Sequence, residues 1–171
     1  MRPANTEYAS FYAGYVGLVQ EEDVLPVLEE QIGVLRRLAE TLPADREGFR
    51  YAPGKWSVRE VIGHLGDTER IFGYRALCIG RGDQTSLPGF DENAYMETAS
   101  FDRRTAADLI EELVHVRQAN LAMLRHLGDE GWARVGTANA APVSVRALAF
   151  VMAGHLRHHL NILRERYGVE V

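Results

Sequence analysis

The chain has 171 residues, 46% of them hydrophobic and 25% charged, with a formal net charge of −5. Residues 1–171 therefore read as one domain, long enough to bury a single core without disulfide staples, and the acidic balance excludes the clustered Lys and Arg of a nucleic-acid footprint. The lone cysteine, Cys78, cannot form an internal disulfide, no run of about 18 apolar residues is present to span a membrane, and the opening MRPANTEYASFYAGY lacks the charged-then-apolar layout of a signal peptide, so a cytoplasmic setting is expected.

Four long helices are expected in chain order. The first runs from about Glu22 to Leu42, with Leu25, Leu28, Ile32, Leu35 and Leu38 at three- and four-residue intervals, Pro26 tolerated in its first turn and Pro43 ending it. The second opens at Ser57, where Ser57 and Glu60 form a capping box, and continues through Val61, Leu65, Phe72 and Ala76 to Gly80 and Gly82; His64 falls in its second turn. The third begins near Thr105, carries Leu109, Leu113, Val116, Met123 and Leu127, and stops at Gly128. The fourth starts at Ser144, passes Leu148, Val151, His155, His159 and Ile162, and ends near Tyr167 with Gly168 as its stop. The stretch from Tyr8 to Val19 and loops rich in Gly, Pro and Asn complete the chain, with no convincing strand series and no internal repeat.

Four amphipathic helices predict an all-α four-helix bundle, an architecture that builds metal sites from facing helices. The linker of about 20 residues between Gly82 and Arg103, extended at roughly 3.3 Å per residue, is long enough to recross a helix, so the second and third helices can run parallel. His155 and His159, at i and i+4, share one helix face, and His64 reaches their level if the second and fourth helices are antiparallel. Three neutral nitrogen ligands would leave a fourth position open, the pattern of a catalytic metal. The same spacing is also compatible with satisfied core histidines, and spacing alone leaves both readings open.

At these residues the chain resembles a known family. PGKWSVREVIGHLGDTERIFGYRAL, RGDQTSLPGFDENAY and GTANAAPVSVRALAFVMAGHLRHHLNILRERYG resemble the DinB-like superfamily, specifically its YfiT branch of metal-dependent hydrolases and bacillithiol S-transferases. The combination of W-S-x-x-E-x-x-x-H with a late H-x-x-x-H carries the resemblance, which extends from YAGYVGLV near the start to RERYG at the end. It implies a bundle of up-down-down-up order, one divalent ion, nickel or zinc, held by His64, His155 and His159, and a homodimer. The family usually reads GTANG where this chain has GTANA, so Ala140 stands where glycine's backbone freedom is the rule.

Other residues have two readings each. Asp67 is either a partner of a metal-bound imidazole or a solvated charge paired with Arg70. Trp56 is either a hydrophobic staple before the capping box or a wall of the pocket, and Glu60 is occupied as cap partner. Asn93, Tyr95 and Asn139 lie in loops that would cover the open side of the metal. His158 is out of phase with the paired histidines, His115 and His126 read as solvated, and Cys78 lies about 21 Å along its helix from His64, too far to be a ligand.

With no G-x-S-x-G elbow, no P-loop and no nucleophilic cysteine beside the histidines, a metal is the obvious reactive centre. It can lower the pKa of bound water for hydrolysis or present a bound thiol as thiolate. The resemblance favours the second, an S-transferase joining a low-molecular-weight thiol to a small electrophile in detoxification or stress. A metal-dependent hydrolase is the alternative, and a metal-containing stress or binding protein without turnover is a third class.

Overall fold

The structure, a computed structural model, describes residues 2–171. A short helix α1 (Ala13–Gly17) precedes the first long helix, α2 (Val24–Thr41), and the second, α3 (Val58–Gly80). After a crossover containing the short α4 (Glu92–Thr98) come α5 (Ala106–Leu124), the single turn-and-a-half of α6 (Asp129–Ala133), a hairpin of β1 (Val135–Ala138) and β2 (Ala141–Ser144), and finally α7 (Val145–Tyr167).

The long helices begin where side chains can take over their orphan amides. Asp23 accepts the amide of Leu25 at 3.2 Å, Thr105 that of Asp108 at 3.2 Å and Ser144 that of Ala147 at 3.1 Å. At Ser57 the exchange is reciprocal, its hydroxyl accepting from the Glu60 amide while the Glu60 carboxylate accepts from the Ser57 amide, as the S-x-x-E spacing predicts. Gly168, at φ +64°, closes α7 in the left-handed conformation. Of the apolar residues expected to face inward, Leu28, Leu35, Leu148 and Val151 are fully buried, each contributing roughly 1.5–3 kcal/mol of burial free energy, while Leu25, Ile32, Val116, Met123, Leu127 and Ile162 are half-buried.

Specific contacts fix the direction of each helix. Gln31 in α2 donates to the Ala153 carbonyl in α7, and Arg46, beyond the end of α2, donates to the Tyr167 carbonyl at the end of α7, so these two run parallel. Arg59 at the start of α3 donates to the carbonyls of Asp102 and Arg104 just ahead of α5, and Arg134, beyond α5, donates to the Gly80 carbonyl at the end of α3, so these are also parallel. The Tyr167 hydroxyl donates to the Trp56 carbonyl at 2.7 Å, joining the end of α7 to the entry of α3 and making that pair antiparallel. The bundle is therefore up-down-down-up, and the long crossover after Gly82 is what allows α3 and α5 to descend side by side.

The hairpin was not anticipated by the sequence pattern. Its strands are only four residues each, one holding Pro142, too short for an alternation to register. It pairs Val135 with Ser144 and Ala138 with Ala141 around a two-residue turn, Asn139 (φ +52°) and Ala140 (φ +59°). The crossover docks on it: the Leu87 amide donates to the Thr137 carbonyl and the Asn139 amide to the Leu87 carbonyl, at 2.9 and 3.0 Å. Two positive φ values are what a turn with the twist of a hairpin demands, and an alanine Cβ resists them. Ala140→Gly is accordingly expected to raise stability by about 0.5–1 kcal/mol, read as a higher urea midpoint at unchanged slope. A lower midpoint would contradict the left-handed assignment.

Candidate metal centre

α3 carries His64 on its second turn, and α7 carries His155 and His159 one turn apart on the face toward α3. The antiparallel packing brings the three rings into a triangle, with centroids 5.0 Å apart from His64 to each of the others and 4.6 Å from His155 to His159. One ring nitrogen from each lies within 4.8 Å of the other two, so the three form a group that can hold a metal ion.

The geometry fits an ion. The Nε2 atoms of His64 and His155 are 3.1 Å apart, and two nitrogens each about 2.0–2.1 Å from one tetrahedral ion would sit roughly 3.3 Å apart. The Nδ1 of His159 is buried with no hydrogen-bond partner, a condition that an ion relieves. The other nitrogen of His64, Nδ1, faces the Thr68 hydroxyl at 3.4 Å, one helical turn on, which leaves Nε2 to point at His155.

Burial keeps all three imidazoles neutral. It pushes His64 down to about 4, with Glu92 pulling the other way, and His159 down to about 3; it pushes His155 well below the usual histidine range, with the neighbouring histidines adding to the effect. Neutral imidazole is the form that binds metal, so the ligands are ready at pH 7 without first losing a proton. The folded chain binds fewer protons here than the unfolded chain does below pH 6.5, so in the metal-free protein stability falls as pH drops from about 6.5 toward 4, by up to about 1.4 kcal/mol per pH unit per histidine. Urea midpoints of metal-free protein between pH 7 and 4 check this, and a flat profile would contradict neutral burial.

Aromatic rings wedge the cluster in place. Trp56 packs on His64 with centroids 4.9 Å apart. Tyr15 of α1 meets His155 and His158 edge-on at 5.3 and 5.4 Å. α1 can come this close because α7 carries Gly154 there: a Cβ at that position would lie 2.0 Å from the Tyr15 carbonyl oxygen.

Two hollows flank the histidines. One, of about 190 Å³, is lined by His64, His155, Thr68, Arg75, Glu92 and Asn139, with aromatic rings completing its walls. The other, of about 230 Å³, is lined by His159, Trp56, Asn93 and Tyr167 among others. Of the residues singled out in the sequence, Trp56, Asn93 and Asn139 are thus brought to the histidines. Tyr95 is not; it is exposed on α4 against Phe90. Asp67 is half-buried, its carboxyl pushed up by desolvation, and its charged neighbours are Arg70 and Glu112. Trp56 walls the pocket, and Thr68 occupies the place beside His64 that Asp67 was a candidate for. His115 and His126 are exposed as expected.

Sequence reasoning missed Tyr15, Arg75 and Glu92. Arg75 was findable, since eleven residues is close to three helical turns and places it on the face of His64. Tyr15 and Glu92 belong to short helices whose docking no local pattern announces.

Comparison with known proteins agrees with this architecture. Residues 28–163 match the DinB superfamily. Among solved structures, the chain is similar to YfiT from Bacillus subtilis, described as a probable metal-dependent hydrolase with an unusual four-helix bundle topology: TM-score 0.76, 19% identity, over 99% of this chain and 95% of that one. It is similar to a DinB-like protein, YjoA, from Bacillus subtilis (TM-score 0.57, 23% identity, 82% and 85% of the two chains). It is also similar to the mycothiol-dependent maleylpyruvate isomerase (TM-score 0.63, 14% identity, 84% of this chain and 61% of that one). At these identities the likeness is one of fold. No curated protein matches the sequence.

Proposed function

The chain belongs to the DinB superfamily, and from that premise we propose that it is a metal-dependent enzyme in which His64, His155 and His159 hold one divalent ion, nickel or zinc, and which transfers a low-molecular-weight thiol to a small electrophile. The observation that carries the reading is the triangle of three neutral imidazoles, two buried and one half-buried, beside an accessible hollow. Three protein ligands leave a coordination position free for a reactant. An ion held there supplies Lewis acidity, lowering the pKa of a thiol or water at that position.

The chain's own residues do the rest. Thr68 keeps the His64 ring turned toward the ion, Tyr15 and Trp56 wedge the imidazoles against movement, and the aromatic walls restrict water. Glu92, the one carboxylate in the lining of the first hollow, is placed to take the proton a thiol gives up. The mycothiol requirement of one structural neighbour supports a thiol as substrate; the description of YfiT supports the hydrolase alternative. The reading includes a homodimer and a cytoplasmic setting; no helix among the described residues is long and apolar enough to cross a membrane.

The test is loss of free thiol when the metal-loaded protein meets a chloro-dinitroaromatic, the sulfur displacing chloride at the ring carbon. Metal-dependent consumption of thiol supports the transferase. Turnover of esters or amides with water alone, and none with thiols, would move the assignment to hydrolase, and silence in both assays with metal bound would favour a binding protein.

A further inference from the structure

The two buried arginines among the described residues are treated in opposite ways. Arg117, 1% exposed, is neutralised by a two-pronged ion pair to Glu69 at 2.8 and 2.9 Å. Arg75, 2% exposed, has no carboxylate within ion-pair reach among the described residues. Its hydrogen bonds go to neutral oxygens, the Pro88 carbonyl at 2.7 Å and the Tyr12 hydroxyl at 3.4 Å, and its carbon lies 5.7 Å from the centre of the Phe72 ring. Burying a cation without a counter-charge is costly and is kept where a ligand supplies the missing anion.

Arg75 lines the hollow that also contains His64 and His155. A single phenyl ring separates it from the cluster, since Phe72 also lies 6.2 Å from His155. Glu92, in the same lining, is exposed on α4 and acts electrostatically on His64 and Tyr15 rather than pairing with Arg75. A planar guanidinium whose neighbours hold it rigidly in an aromatic-walled hollow is shaped for a carboxylate.

We propose that Arg75 is a specificity-determining residue that binds a carboxylate group of the substrate, so that the enzyme selects small organic acids with an apolar body over their neutral analogues. The inference deepens the proposed function and rests on it for the identity of the site. The carboxylate can belong to the thiol or to its acceptor, and Arg75 reads the shared group in either case.

The test is direct binding to the full-length, nickel-loaded protein, with 3-phenylpropionate and 3-phenylpropan-1-ol as matched probes in calorimetric titration. The acid is expected to bind at least about tenfold more tightly than the alcohol, as one charge-assisted pair in a partly desolvated site supplies. In Arg75→Gln that advantage shrinks to about twofold or less while affinity for the alcohol is unchanged. Arg75→Lys, which keeps the charge but not the planar fork, retains an intermediate advantage and serves if the glutamine variant does not fold. Equal affinities in the wild type overturn the proposal, and so does an acid preference undiminished in either variant, which would place the carboxylate on the ion instead. Neither probe has a thiol or a hydrolysable bond, so this result stands apart from the turnover assays. With transferase activity confirmed, an absent acid preference removes only the role of Arg75. The neutral-to-acidic comparison repeated in turnover, with 3-mercaptopropan-1-ol against 3-mercaptopropionate and with neutral against carboxylated chloro-dinitroaromatics, then shows which substrate bears the group.

Discussion

His155→Ala is expected to abolish metal-dependent thiol consumption and, with it, the stabilisation that metal confers. A ligand bound only by the folded state raises its stability by about 2.7 kcal/mol at a hundred times the dissociation constant, and the wild type should show an upward shift of that order in its melting transition when nickel or zinc is added. In the variant two imidazoles remain, held on different helices, and the shift disappears at the same metal concentration. The metal-free variant should not be correspondingly damaged. His155 is buried among His64, His159, Tyr15 and Phe72, and its removal creates a small cavity and gives up one hydrogen bond to His64. A variant that still melts higher with metal, and still consumes thiol, would mean that these histidines are packing residues.

The second large effect is structural. The Arg117 guanidinium, inserted between α2, α3 and α5, donates to both Glu69 carboxylate oxygens and, at 2.7 Å, to the Gln31 side chain, whose own amide reaches the Ala153 carbonyl of α7. Asn120 adds a donor to the Glu69 carboxylate at 2.9 Å. All four long helices of the bundle are thus joined by one buried polar network, five residues along α3 from His64. Arg117→Met leaves the Glu69 carboxylate buried without its cation and is expected to cost about 3–5 kcal/mol; adding Glu69→Leu removes the orphaned charge and should recover most of that loss. Urea midpoints of the two single variants and the double variant measure it. A loss below about 1 kcal/mol in Arg117→Met would show that the pair contributes only as an exposed salt bridge does.

The bundle itself was legible because its signals are local. The apolar periods gave four helices, Ser57, Thr105 and Ser144 marked three starts, and Gly168 one end. The order of helices could be inferred from linker length, and the levels of His64 and His159 from their distances to helix ends. What was not legible depends on docking between distant segments. The crossover at Leu87 gives the hairpin backbone partners at Thr137 and Asn139, and nothing in VGTANAAPVS alone advertises a pair of four-residue strands with alanine at a left-handed position. The polar network had a visible trace: Arg117 falls on the same helical face as Leu113, Val114 and Leu121, where a charge demands a buried partner, yet no spacing names Glu69 as that partner. Asp67 had two readings that spacing left open; its charged neighbours are Arg70 and Glu112, while Thr68 faces the imidazole.

The most direct test of the central claim is equilibrium metal titration of the wild type, His64→Ala and His159→Ala at pH 7, with bound nickel or zinc counted per chain. One ion per chain is expected in the wild type, binding accompanied by almost no proton release because the three imidazoles are already neutral, and no stoichiometric binding in either variant. Stoichiometric metal retained by both variants, or none bound by the wild type, would contradict the claim.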